Sequence, residues 1–266
     1  MSKRLRIIAL ALVLVFYCTL TYGARWISVA GSALIILLAR CVWSKNGIQV
    51  IGLKIPRHQI DISLFLFGVV LICSFQIINV ITMREGVIFV PVYENQEWLS
   101  LLVHTIGQTL NEEMVLGALF LRAIQNRFKS THPFVTSIGV TLTFSLLHYA
   151  FYGLRPPEWV NYGILSATTL ISLFAMGVAR NNCILSTENI GYAWALHLGW
   201  NVAFIDGSFY SSASHTKLAE PSMFNLILGD RYLVVVAVVL MALSFLLFVK
   251  GSSKREFTDG EHIAST

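Results

Sequence analysis

The chain has 266 residues, of which 56% are hydrophobic and only 12% charged. Soluble domains carry roughly 25% charged residues, so this chain cannot clothe a water-facing surface, and a water-soluble enzyme and a disordered chain are both excluded. The formal charge of +5 comes from basic residues scattered along predicted loops. That pattern orients a membrane protein, and no nucleic-acid partner is expected.

The N-terminus, MSKRLRIIALALVLVFYCTLTYGAR, is basic and then apolar. It resembles a signal peptide, but a second apolar span follows at once, and we read it as a retained first helix. Hydropathy marks eight candidate spans, at 5–23, 25–43, 61–82, 98–121, 134–152, 160–179, 190–206 and 231–249, on the rule that about 20 apolar residues cross a bilayer. With the N-terminus in the cytoplasm, fourteen of the nineteen Lys and Arg residues fall inside, Arg122 and Arg180 among them. Five fall outside: Arg25, Arg84, Arg155, Lys217 and Arg231. The bias predicts an all-α polytopic membrane helix bundle of about eight transmembrane helices with both termini cytoplasmic. A single integral membrane domain is expected over 1–250 and a short solvated tail over 251–266. Cys18, Cys41, Cys73 and Cys183 form no CxxC pair and read as small apolar fillers.

Several spans hold residues that lipid does not tolerate. Span four contains LNEEMVLGALFLR, with Glu112 and Glu113 adjacent. One carboxylate at mid-bilayer costs about 2.5–3.5 kcal/mol on insertion scales. Adjacent helical residues point about 100° apart, so both must look into the bundle. Span five contains FSLLH, ending at His148, and span seven contains HLGWN, with His197 and Asn201. An i, i+4 pair lies on one helix face, so His197 and Asn201 address one spot. The bland reading is a polar cluster that glues helices together. Two glutamates, two histidines and an asparagine on three helices also hold a base, acids and neutral donors, and intramembrane ionisable residues mark function by default. His104 reads as helix packing, Gln76, Asn79 and Gln108 as interhelical hydrogen-bonders, and Trp98, Trp159, Trp194 and Tyr232 as an interfacial belt.

The order Glu-Glu, Phe-x-x-x-His, His-x-x-x-Asn, each in its own span, resembles the CAAX-protease and bacteriocin-processing (CPBP) family of intramembrane glutamic endopeptidases. The motifs lie within 110–205, and a CPBP-like core is expected over about 98–206. The resemblance implies that Glu112 activates a water and that His148 holds that water and shares its proton. It implies that His197 and Asn201 stabilise an oxyanion and that Glu113 supports the site. It implies a metal-free mechanism with no cofactor. The minority alternative is zinc on Glu and two His, although no HExxH stands in the sequence.

One position departs from the family pattern Glu-Glu-x-x-x-Arg: residue 117 is glycine. Arg122 is a poor replacement, more than about 13 Å along the helix and half a turn out of phase with Glu113. Glu113 is then protonated, or receives a cation from another helix, or belongs to a divergent subgroup with altered activity. The resemblance implies an endopeptidase that hydrolyses a peptide bond in a membrane-anchored protein or peptide, in C-terminal sorting-signal processing or peptide maturation. A bacterial inner (cytoplasmic) membrane is the expected location. Gly117 supports the alternative of a non-catalytic or weakly catalytic immunity or binding protein on the same fold. A transporter is disfavoured by the lack of internal repeats.

Overall fold

The computed structural model describes residues 27–43, 46–91, 98–127, 132–153, 165–205, 207–216, 218 and 220–263. The first helices are α1 (Ile27–Trp43), α2 (Gly47–Val50), α3 (Arg57–Arg84) and α4 (Trp98–Glu112). A π-helical segment (Glu113–Phe120) continues α4 into α5 (Leu121–Arg127). Then come α6 (Pro133–Gly153), α7 (Ala167–Thr187), α8 (Gly191–Ile205), α9 (Glu220–Ile227) and α10 (Arg231–Ile263). The first predicted span, 5–23, lies outside the described residues. Each of the others falls on a helix, and α10 continues to Ile263 through the segment expected as a tail.

α3 has 28 residues and spans about 42 Å, more than the hydrocarbon core of a bilayer. Phe65 is 70% exposed and Met83 81% exposed on it, as lipid contact requires. Among the described residues α3 is the one helix long and apolar enough to cross a membrane by composition, while α1, α6 and α10 carry shorter apolar stretches. The reason differs among the remaining helices: α4 and α8 have only 15 residues each, and α7 spends interior positions on Arg and Asn, which lowers its hydropathy and requires burial among neighbours. Gln76 and Asn79, expected between helices, are instead exposed on α3.

The sixth span is displaced. Ser166 caps α7 by accepting the Thr169 amide at 3.1 Å, so the helix begins at Ala167, several residues later than the apolar window. It ends where Glu188 turns left-handed, at φ 59°. The shift brings Arg180, Asn181 and Asn182 inside the helix, all buried. Arg180, assigned to a cytoplasmic loop by sequence, is only 5% exposed.

α7 is the central helix and packs on α6, α8 and α10. Its asparagines form the polar seam. Asn181 Nδ2 donates to Thr141 Oγ1 at 2.9 Å, Ser137 Oγ donates to Asn182 Oδ1 at 3.2 Å, and Asn182 Nδ2 donates to Ser244 Oγ at 3.1 Å. Around this seam, Met114, Ala118, Val140, Ile184 and Ile190 form one apolar cluster, and Ile78, Trp200, Ala203 and Leu233 form a second. α3 packs on α8 through Gly199, where a Cβ would meet the Phe67 carbonyl oxygen at 3.0 Å.

Two strands add a small element to the all-α expectation. β1 (Val87–Pro91) pairs antiparallel with β2 (Gly207–Ser211), Phe89 opposite Phe209. The β-branched run Val87-Ile88 follows Gly86, whose φ of 62° makes the turn out of α3. At this end Arg84 bridges to Asp230, tying α3 to the start of α10. At the other end Arg122 donates to the Gln49 carbonyl at 2.5 Å and to the Glu188 carbonyl, fastening the α2 and α7–α8 turns.

α1 and α4 approach through small residues. A Cβ on Gly107 would lie 2.9 Å from the Ser28 carbonyl carbon, and Asn111 Nδ2 donates to the Ser28 oxygen at 2.7 Å. Gly68 on α3 has open space instead. Gly107→Val is therefore expected to destabilise the bundle by about 1–3 kcal/mol, seen as a lowered unfolding temperature in detergent, while Gly68→Val leaves it unchanged.

Candidate active site

Four of the five site residues expected from sequence meet between α4 and α8. The register of these helices is set one turn earlier. Trp194 Nε1 donates to Thr109 Oγ1 at 3.0 Å, three residues before His197 and three before Glu112. Trp194, expected in the interfacial belt, thus also makes a helix contact.

The two glutamates separate sharply in environment. The Glu113 side chain is fully buried, at 0% exposure, whereas that of Glu112 retains 18%. They also divide the histidine between them. His197 Nδ1 lies 2.8 Å from Glu113 Oε1, and His197 Nε2 lies 3.7 Å from Glu112 Oε2. Asn201 Nδ2 sits 3.2 Å from Nε2. An ionised carboxylate only accepts, so the ring with Glu113 as partner carries its proton on Nδ1. Nε2 is then free to accept from Asn201. Gln108 Nε2 lies 3.4 Å from Glu112 Oε1, one turn along the same helix.

A π-helical stretch coincides with this arrangement. It begins at Glu113, where the hydrogen-bonding changes from the α pattern to the wider i→i+5 turn. Adjacent glutamates in a regular α-helix diverge by about 100°. Here they reach opposite nitrogens of one imidazole. π segments of this kind are rare and are found frequently at functional sites.

Sequence reasoning missed one residue of the cluster. Arg180 Nη1 lies 3.3 Å from Glu113 Oε1, with the guanidinium stacked 4.4 Å from the centre of the Phe144 ring. It was lost because the apolar window ended at residue 179 and left the arginine in a loop. The signal that could have found it is Ser166, a capping residue placed to start the helix late. The backbone of His148 lies within α6, one turn after Phe144, and its side chain lies outside the described residues. Among the described residues no group of three or more His, Cys, Asp or Glu side chains is arranged to hold a metal ion.

The burial difference makes a prediction. Breaking a buried pair leaves its partner uncompensated, at a cost of about 3–5 kcal/mol. Glu113→Ala strands Arg180 and should lower the unfolding temperature markedly. Glu112→Ala, at a partly exposed carboxylate, should leave it close to that of the parent.

Residues 93–203 match the family model Rce1-like, described as type II CAAX prenyl endopeptidase Rce1-like. No curated protein and no solved structure matches the chain. The matched segment opens just before α4 and closes within α8, and so contains Glu112, Glu113, His148, Arg180, His197 and Asn201. Over residues 93–203 the chain carries an Rce1-like domain of the CAAX-protease (CPBP) family.

Proposed function

We propose that the protein is an intramembrane endopeptidase that hydrolyses a peptide bond in a membrane-anchored protein or peptide, with Glu112 activating water. The observation that carries this reading is the division of labour around His197. Glu113 is buried and occupied by two partners, while Glu112 keeps access to solvent and stands 3.7 Å from Nε2. That separation is too wide for a direct hydrogen bond and suits a water-bridged contact.

Glu112 takes a proton from a water, and the oxygen attacks the scissile carbonyl carbon. The carbonyl π pair moves to its oxygen. One Nδ2–H of Asn201 donates to that oxyanion while the other is held by His197 Nε2. Glu113, accepting from Nδ1–H, fixes the ring in that tautomer, as the acid does in a Ser-His-Asp triad. The carbon–nitrogen bond then breaks, and the leaving nitrogen takes the proton from Glu112. Water has been added across the peptide bond and Glu112 is ionised again. His148 is assigned to the water, as the family motif implies.

No metal or cofactor enters these steps. The geometry supports this: with Nδ1 facing Glu113 and Nε2 facing Asn201, both ring nitrogens of His197 already have protein partners. The competing reading, a non-catalytic immunity or binding protein, drew on Gly117 leaving Glu113 without a cation. Arg180 beside Glu113 removes that support. We place the protein in a bacterial cytoplasmic membrane, processing C-terminal sorting signals or maturing peptides there.

Comparing membrane proteomes of cells carrying the parent chain or Glu112→Ala tests the reading. New C-termini that appear with the parent and vanish with the variant are expected; identical cleavage by the two would overturn it. General-base loss predicts a fall of about 10²–10⁴-fold in rate for Glu112→Ala. Asn201→Ala should lose about 10²–10³-fold through the oxyanion contact. Incubation of the purified protein with a metal chelator should leave cleavage unchanged.

A further inference from the structure

Position 117 and Arg180 converge on one carboxylate. A Cβ built on Gly117 would lie 2.9 Å from Glu113 Oε2, so a side chain there would start against this group. Arg180 approaches the same carboxylate from α7, at Oε1. The same Cβ would lie 2.6 Å from Ile184 Cδ1, and Ile184 is four residues beyond Arg180, on the same face of α7. The bare glycine is therefore what lets this face of α7 close onto the π segment, and that approach brings the guanidinium within 3.3 Å of Glu113.

Resting on the glutamic-hydrolase reading above, we infer that Arg180 is a positioning residue that performs from α7 the task of the arginine four residues after the second glutamate of the family motif. The cation has moved to another helix, and Gly117 is the space that admits it. Its action runs through two other residues. Glu113 is fully buried, and Arg180 Nη1 and His197 Nδ1 share its Oε1. Without the guanidinium the carboxylate is free to turn from the ring, and the ring proton loses the acceptor that holds it on Nδ1. An arginine stays charged in any surroundings; beside Glu113 it holds Oε1 against Nδ1 and so keeps the ring proton on that nitrogen. The face of the imidazole turned to Glu112 and Asn201 then has one defined state. Phe144 covers the guanidinium and keeps it aimed at the site.

The test is ¹⁵N NMR of ring-labelled histidine in lipid nanodiscs, with unfolding temperature and turnover measured on the same samples. In the parent, the His197 proton should reside on Nδ1. In Arg180→Ala it should move to Nε2 or exchange between the two, with kcat reduced about 10–100-fold and KM changed by less than about twofold, the scale of losing an orienting partner. Adding Gly117→Arg and Ile184→Ala to Arg180→Ala should restore the Nδ1 proton and much of kcat. Should Arg180→Ala fail to fold, the triple variant decides: folding with the Nδ1 proton supports the transposition, and failure to fold overturns it. A folded Arg180→Ala protein with the ring proton still on Nδ1 and full turnover also overturns it. Failure of the hydrolase reading would show separately, as full cleavage by Glu112→Ala, which does not bear on the ring proton.

Discussion

The arrangement of the site depends on a single buried carboxylate. Glu113 has no solvent exposure, and one of its oxygens meets both His197 Nδ1 and Arg180 Nη1. It therefore couples three separate elements, the π segment, α7 and α8. An ion pair in a low-dielectric interior contributes little net stability by itself, because desolvation offsets much of the attraction. What it supplies here is geometry. The imidazole is held by one nitrogen, its other nitrogen is presented to Asn201 and Glu112, and the arrangement leaves Glu112 outside the clamp.

The surrounding structure explains how such a cluster is tolerated among apolar helices. α3 turns its hydrophobic side chains outward, and α7 places its polar residues against α6, α8 and α10. Close contacts at Gly107 and Gly199 let backbones approach, as small residues do between membrane helices. The Trp194–Thr109 hydrogen bond fixes the register of α8 on α4. The change of helix type falls at Glu113, so the two glutamates that face the two nitrogens of one ring lie on either side of it. Packing, register and helix type thus act on the same few ångströms.

How much of this could be read from sequence depends on the physics involved. The helices were legible because apolar length is a one-dimensional signal. The pairing of His197 with Asn201 was legible because a spacing of four puts both on one face. Which glutamate is buried was not legible, since adjacent residues differ only by a rotation, and the π segment that begins at Glu113 has no sequence signature. Arg180 was hidden for a different reason. A hydropathy window treats a charged residue as the end of a span, yet α7 is positioned by its Ser166 cap and runs past it. Gly117 was noticed as a gap in a motif, and the partner that fills the gap lies 63 positions further along the chain, between residues 117 and 180. The β1–β2 pair escaped because two short strands at the bundle end carry no helical period.

The central claim is that water, and not a protein side chain, is the nucleophile. It is tested most directly by quenching the purified protein during turnover in H₂¹⁸O with hydroxylamine present, and examining chain and products by mass spectrometry. The account predicts an unmodified chain, no hydroxamate, and ¹⁸O in the new C-terminal carboxylate. An acylated chain or a hydroxamate product would contradict it.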